Sequence, residues 1–356
     1  MKHVWLAPKF DESPELFLVQ SARGNAAQAH ENTLFTQALP SDYSYTGFTL
    51  VENYEDADIV LVPQPIRRVT PAIRAYLDVQ VAAARAAGKP VVVFTRGDLS
   101  HDVFVPDVVL CKGSQYGYLR QPNEIIVPPL VEDLGEQFGV HLREKSDTPV
   151  VSFCGWAGFA SHSAYVKYQI KNLLLSLRKL ITRDAHLEVH RKGIYFRCAA
   201  MRALANSPHV RTNFIIRQTF SASKKTISMD PVVARKEYVD SMINSDFVLA
   251  PKGDGNFSVR FYEALALGRV PILIDTDCVL PREDVIDYES VILRVPYTEL
   301  HTLPDRVANY YASHTPESWR ARQERARELF RTQLRYDRFM SALFESLGAH
   351  SEQPEK

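Results

Sequence analysis

Only four cysteines, Cys111, Cys154, Cys198 and Cys278, are spread over 356 residues, and no two stand at a Cys-x-x-Cys spacing. That scarcity argues against a disulfide framework or a cysteine-based zinc site, and it suits a reducing compartment. Net charge is absent as well: 42 Lys and Arg balance 42 Asp and Glu, so the overall electrostatics do not favour nucleic acid as a partner. No apolar run approaches the roughly twenty residues needed to cross a bilayer. The opening Met1-Lys-His-Val-Trp-Leu-Ala-Pro lacks the apolar stretch of a secretory leader, and the expected location is cytoplasmic. No period repeats, and only the polar tail 351–356 is low in complexity and expected to fray.

What is present is globular. Hydrophobic residues make up 46% and charged ones 24%, and the length divides most naturally into two domains. The neutral total conceals a basic stretch: from Tyr165 to Lys236 there are 15 Lys or Arg against 3 Asp or Glu.

Strand-length apolar runs alternate with helical patterns. Val4–Ala7, Ile59–Val62 and Val91–Phe94 read as strands, and Pro71–Ala87 as a helix ended by Gly88, which together give βαβ units and a parallel sheet. Another strand is expected at Val108–Lys112. Ile125–Val127 then runs into Pro128-Pro129, where fixed φ angles and missing amides stop any element. A second series follows: strand Pro149–Cys154, helix Tyr165–Ile181, strands His186–His190 and Asn213–Arg217, helix Val232–Asn244, strand Phe247–Ala250, helix Ser258–Leu267 and strand Val270–Ile274. The expected divisions are 1–145, 146–315 and a helical segment 316–356 that packs back toward the first domain. Two such domains place a ligand in the cleft at the carboxyl ends of their strands.

The chemistry concentrates after Phe247–Ala250. A loop with Lys252, Gly253 and Gly255 leads into a helix that starts at Ser258 and ends at Gly268. Glycines admit close approach of a ligand to the backbone, Ser258 suits an N-cap, and free amides with a positive dipole end face the loop. Arg260 can fork onto phosphate oxygens, Lys252 adds a cation, and Glu263, one turn on, can accept from vicinal hydroxyls. An ordinary βα turn with a surface Arg–Glu pair fits the spacing equally well.

The run Ser245-Asp-Phe-Val-Leu-Ala-Pro-Lys-Gly253, then Ser258-x-Arg260-Phe261-x-Glu263-Ala-Leu265, Gly268-x-Val270-Pro-Ile-Leu-Ile274 and Val279-Leu-Pro281, preceded by Tyr238, resembles the signature of the exostosin family of inverting glycosyltransferases. Asp58-Ile-Val-Leu-Val-Pro63 and Ile125-Ile-Val-Pro-Pro129 extend the resemblance into the first half. It implies an α/β GT-B fold, two Rossmann-like domains facing each other across a cleft, with a UDP-sugar donor on the C-terminal one. Arg260 and Ser258 would then hold the diphosphate and Glu263 the ribose, with Gly155 matching a family glycine beneath the donor. Where the family often carries His-Asp after its central first-domain strand, this chain reads Phe94-Thr-Arg-Gly-Asp98, with His101-Asp102 later.

Inverting transfer needs a base for the acceptor hydroxyl and cations for the departing diphosphate. Asp98 is the first choice of base and His101 and Asp102 are alternatives, although each also suits loop capping. Lys167 and Arg217 are the members of the basic stretch expected to reach the donor phosphates. Asp275-Thr-Asp277 has a metal-binding form, but it reads better as a strand-end turn, and metal-independent chemistry without a cofactor is expected. His186 and His190 lack a third ligand and read as surface residues. The expected partners are a UDP-sugar and a saccharide or glycolipid acceptor in cell-surface polysaccharide or lipopolysaccharide assembly, with peripheral membrane association as a further expectation. An inactive scaffold and a donor-only epimerase are the competing readings.

Overall fold

The computed structural model describes residues 1–24, 47–98, 101–220, 227 and 229–347. Strands β1 (Lys2–Leu6), β2 (Phe48–Val51), β3 (Ile59–Leu61), β4 (Val91–Phe94), β5 (Val109–Lys112) and β6 (Glu124–Ile126) form one sheet in the order β2-β1-β3-β4-β5-β6. Every neighbouring pair is parallel. A parallel sheet is covered on both faces, which is why β3 and β4 are buried throughout and read as unbroken apolar runs. Helix α1 (Phe17–Ala22) follows β1, and α2 (Pro71–Ala86) joins β3 to β4. The Thr70 hydroxyl accepts from the Ile73 amide at the start of α2, with proline in the first turn.

Short α3 (Leu134–Phe138) precedes β7 (Val150–Trp156), which opens the second half. Then come α4 (His162–Thr182), α5 (Gly193–Ala205), β8 (Arg211–Arg217), α6 (Pro231–Ile243), β9 (Phe247–Ala250), α7 (Val259–Ala266), β10 (Val270–Asp275) and β11 (Leu293–Pro296). The second sheet runs β11-β10-β9-β7-β8, again parallel throughout. Gly268 ends α7 with φ +67°, the left-handed geometry of a C-terminal cap.

One reading of the sequence is corrected and one element is added to it. His186–His190 is not a strand: the Asp184 carboxylate caps the His186 amide and Ala185–Glu188 closes into a 3-10 turn. Helix α5, hidden in the basic stretch, supplies Phe196, Ala200, Met201 and Leu204 to the core beneath the second sheet.

Helices α8 (Leu303–Ala312) and α9 (Pro316–Leu329) cover the second sheet, where Trp319 is fully buried. A single wide turn at Phe330–Leu334 and extended Arg335 redirect the chain. Helix α10 (Tyr336–Leu347) then inserts Phe339, Met340, Leu343 and Phe344 into the core of the first sheet, with the Phe344 and Phe48 rings 4.8 Å apart. The tail 351–356 lies outside the described residues.

The two halves meet through loops at the carboxyl ends of their strands. The Gly117 amide donates to the Asp277 carbonyl (2.9 Å) and the Val279 amide to that of Gln115 (3.3 Å). Buried Asn256 donates to the Gln115 and Asp277 carbonyls. Two Rossmann-like α/β domains facing each other in this way have the GT-B layout.

Candidate active site

β7 carries the floor of the site. At its carboxyl end Gly155 has φ +148°, and a Cβ there would lie 3.0 Å from the Arg260 guanidinium. The glycine therefore gives Arg260 its place: one Nη donates to the Cys154 carbonyl at 2.8 Å, and the guanidinium stacks on Phe153 at 4.3 Å. Arg197 reaches the same turn from α5, donating to the Trp156 carbonyl (3.1 Å). Arg217, at the end of β8, pairs with Glu237 (3.1 Å) and also donates to the Ala234 carbonyl (3.2 Å).

The Nε atoms of Arg197, Arg217 and Arg260 are buried, and among the described residues none has a hydrogen-bond partner. Burial, and next the neighbouring Arg260, lower Arg197 to about 10. Cations crowded together with donors left over can take up an anion, since an unpaired buried donor is costly until a ligand satisfies it. The amino end of α7 adds its first-turn amides.

The other expected donor residues fall differently. Gly253 closes the loop by donating its amide to the Phe257 carbonyl (2.9 Å). Ser258 occupies the cap position of α7, but its hydroxyl makes no cap hydrogen bond. Lys252 does not face the anion site: its buried ammonium donates to the Tyr116 hydroxyl (2.9 Å) and the Val189 carbonyl, bridging the two domains, and burial lowers it to about 8. Lys167 is exposed on α4.

Glu263 is buried, not open to the cleft. One oxygen accepts from Arg235 (3.2 Å) and the other from the Tyr238 hydroxyl, while Arg235 also pairs with buried Glu132 from the segment before α3. The Tyr238 ring lies 5.6 Å from the Arg260 guanidinium, so Glu263 reaches the anion site through Tyr238. Tyr238 stands in the matched pattern, but its link to Glu263 is visible only in three dimensions.

Across the cleft, Asp98 lies in the loop after β4, and its backbone carbonyl abuts Gly255. Desolvation of the carboxyl, and then the Asp254 carboxylate, raise Asp98 above its ordinary value, although the residue as a whole stays exposed. His101 sits against Tyr116 and His190, with ring centroids 5.6 and 5.5 Å apart. Its carbonyl accepts from Gln115 (3.2 Å), which also donates to Glu124, buried in a 2.8 Å ion pair with Lys112. Asp102 is exposed beside this network. Both histidines are exposed, as read from the sequence, and both touch the first domain: His186 stacks on Tyr118 at 3.8 Å, and His190 hydrogen-bonds the Tyr118 hydroxyl.

The acidic triplet is committed to the fold. One Asp275 oxygen caps the Cys278 amide and the other pairs with Arg294 (3.3 Å), while Asp277 accepts from the Tyr118 amide (2.9 Å). Among the described residues no cluster of three His, Cys, Asp or Glu could hold a metal ion.

A family model described as the Exostosin GT47 domain matches residues 178–310, the stretch that carries Arg197, Arg217, Tyr238, Arg260 and Glu263. The Exostosin-1 homolog of Caenorhabditis elegans is 35% identical over 71 residues, covering 20% of this chain and 19% of that protein. Exostosin-1 of Drosophila melanogaster is 37% identical over 73 residues, 20% of this chain and 10% of its own length. The match thus spans under a fifth of either relative. A solved glycosyltransferase from Rickettsia africae overlays 98% of this chain and 99% of its own with a TM-score of 0.39 and 10% identity, too loosely to bear on the site. The signature is seated around the arginine cluster, and residues 178–310, less than half of the chain, are similar to the Exostosin GT47 domain.

Proposed function

We propose that this protein is an inverting glycosyltransferase that takes a sugar from a UDP-sugar and places it on a saccharide or glycolipid acceptor of the cell surface. The observation that carries the proposal is the set of three guanidiniums, Arg197, Arg217 and Arg260, around the carboxyl end of β7, with buried donors unmet and the first turn of α7 alongside. The diphosphate lies against them, and the anomeric carbon points toward the first domain. The Asp98 carboxylate takes the proton of the acceptor hydroxyl as its oxygen forms a bond to that carbon from the face opposite the diphosphate. The bond between carbon and diphosphate oxygen breaks, and UDP leaves with its new charge held by the arginines and α7. Asp275 and Asp277 already have partners, so the proposed transfer uses arginine in place of a metal.

Calorimetry with UDP and a panel of UDP-sugars, in chelator, tests the reading. UDP should bind to the parent and much more weakly to Arg260→Ala. No heat with any of them, or identical binding by Arg260→Ala, would remove the donor site. Hydrolysis of donor or its isomerisation without acceptor would point to donor-only chemistry instead.

A further inference from the structure

Helix α4 is built inside out. Among the described residues it contributes none to the buried core over its whole length, His162–Thr182. Its half-buried seam is Ala164, Tyr168, Asn172, Leu175 and Lys179, spaced by four, four, three and four residues. That seam is held largely by polar contacts: Arg191 donates to the Asn172 carbonyl and side chain and to the Ser176 hydroxyl, and Lys179 pairs with Glu188 at 2.7 Å. At about 100° per residue, Val166, Ile170, Leu173, Leu177 and Ile181 fall diametrically opposite it. They face solvent, with Leu173 60% and Ile181 81% exposed. A surface helix of a globular protein normally has the reverse arrangement.

Charge says what covers this stripe. α4 contains no Asp or Glu, and Lys167, Lys171 and Arg178, all exposed, line one flank of the stripe. An apolar stripe with a basic border and no acidic residue has the composition of a helix lying flat in a lipid interface, and no helix of the described residues is long and apolar enough to cross a membrane. The helices at the chain's end offer no such surface, because the apolar residues of α10 fill the first-domain core. α4 begins a short loop beyond Trp156, at the carboxyl end of β7.

We infer that the outer face of α4 docks this protein on an anionic lipid surface, apolar stripe in the acyl boundary and cations on the headgroups. This goes beyond the proposed transfer and can fail independently of it. The test is flotation of the whole chain with phosphatidylcholine vesicles, alone and with about 30 mol% phosphatidylglycerol. The parent should float with the anionic vesicles and far less with neutral ones. Leu173→Gln/Leu177→Gln should abolish flotation, and each of Lys171→Gln and Arg178→Gln should weaken it about fivefold. Unchanged circular dichroism and UDP binding in these variants keep folding and the donor site out of the result. A parent that floats with neither vesicle, equal flotation with both, or a parent dimer that the leucine substitutions return to monomer would overturn the inference, the last by making a second copy of the chain the occupant.

Discussion

The backbone carbonyl of Asp98 lies 2.6 Å from where a Cβ on Gly255 would stand. Glycine is what allows the loop that bears the candidate base to touch the loop that leads to Arg260. Gly255→Ala should force the two loops apart and lower transfer efficiency at least about tenfold through misplacement of the base. UDP affinity should stay within about threefold, because none of the arginine contacts passes through residue 255. Steady-state kinetics paired with UDP titration separates the two effects.

A guanidinium matters in the anion site for its shape as well as its charge. Arg260→Lys keeps a cation but loses the stack on Phe153 and the reach to both the Cys154 carbonyl and a phosphate. The expected loss is about tenfold or more in UDP affinity, from about 1.5–3 kcal/mol per charged hydrogen bond. Arg197→Gln should behave differently without ligand: removing a desolvated cation from beside Arg260 should leave stability unchanged or raised, while the thermal shift produced by UDP shrinks. A loss of stability in the ligand-free protein would make Arg197 a structural residue.

The parallel sheets were legible because buried parallel strands announce themselves as short apolar runs: β4 and β9 coincide with Val91–Phe94 and Phe247–Ala250. Two kinds of feature escaped. Alternation in His186–His190 imitates a strand, but a local Asp184 cap and the burial of Val189 against the other domain decide its form. Side-chain direction is the other. Lys252 stands beside Gly253 in the chain, yet its ammonium turns to Tyr116, and Glu263 turns inward to Arg235 and Tyr238. Spacing along a helix or loop places a residue near a ligand, whereas the competing partners that claim it come from remote segments.

For Asp98 the pH dependence follows from the direction of its shift. A base must be deprotonated to work, and the Asp98 carboxyl is raised by desolvation and then by Asp254. The acid limb of kcat/KM should therefore fall at a pH above the ordinary carboxylate value near 4. Asp254→Asn should move that limb to lower pH by removing the like charge. Asp98→Asn should abolish transfer while UDP still binds, and a limb unmoved by Asp254→Asn would detach it from Asp98.

Lys252 gives a separate signature in stability. Its folded value is lowered to about 8 from an ordinary 10.5. Between those values the unfolded chain holds a proton that the folded chain does not, so stability rises with pH across that window. Lys252→Met keeps the bulk but lacks the titration. The difference in melting temperature, parent minus variant, should grow as pH rises from about 8 toward 10; a difference flat with pH would place the ammonium in solvent.

Arg235 lies between Glu132 and Glu263, all three buried or nearly so, with the two acids contributed by different halves of the chain. Replacing it with Met removes the shared cation and leaves two desolvated carboxylates close together. Breaking one side of such a cluster typically costs about 3–5 kcal/mol, much more than an exposed pair. Denaturant unfolding of Arg235→Met should show a loss of that order, reduced at acid pH as the stranded carboxylates take up protons. Glu263→Gln should be milder, because the amide still accepts from the Tyr238 hydroxyl and Arg235 keeps Glu132. It should nonetheless loosen the ring beneath Arg260 and weaken UDP binding several-fold. Loss of stability without loss of UDP affinity in Glu263→Gln would confine this network to holding the domains together.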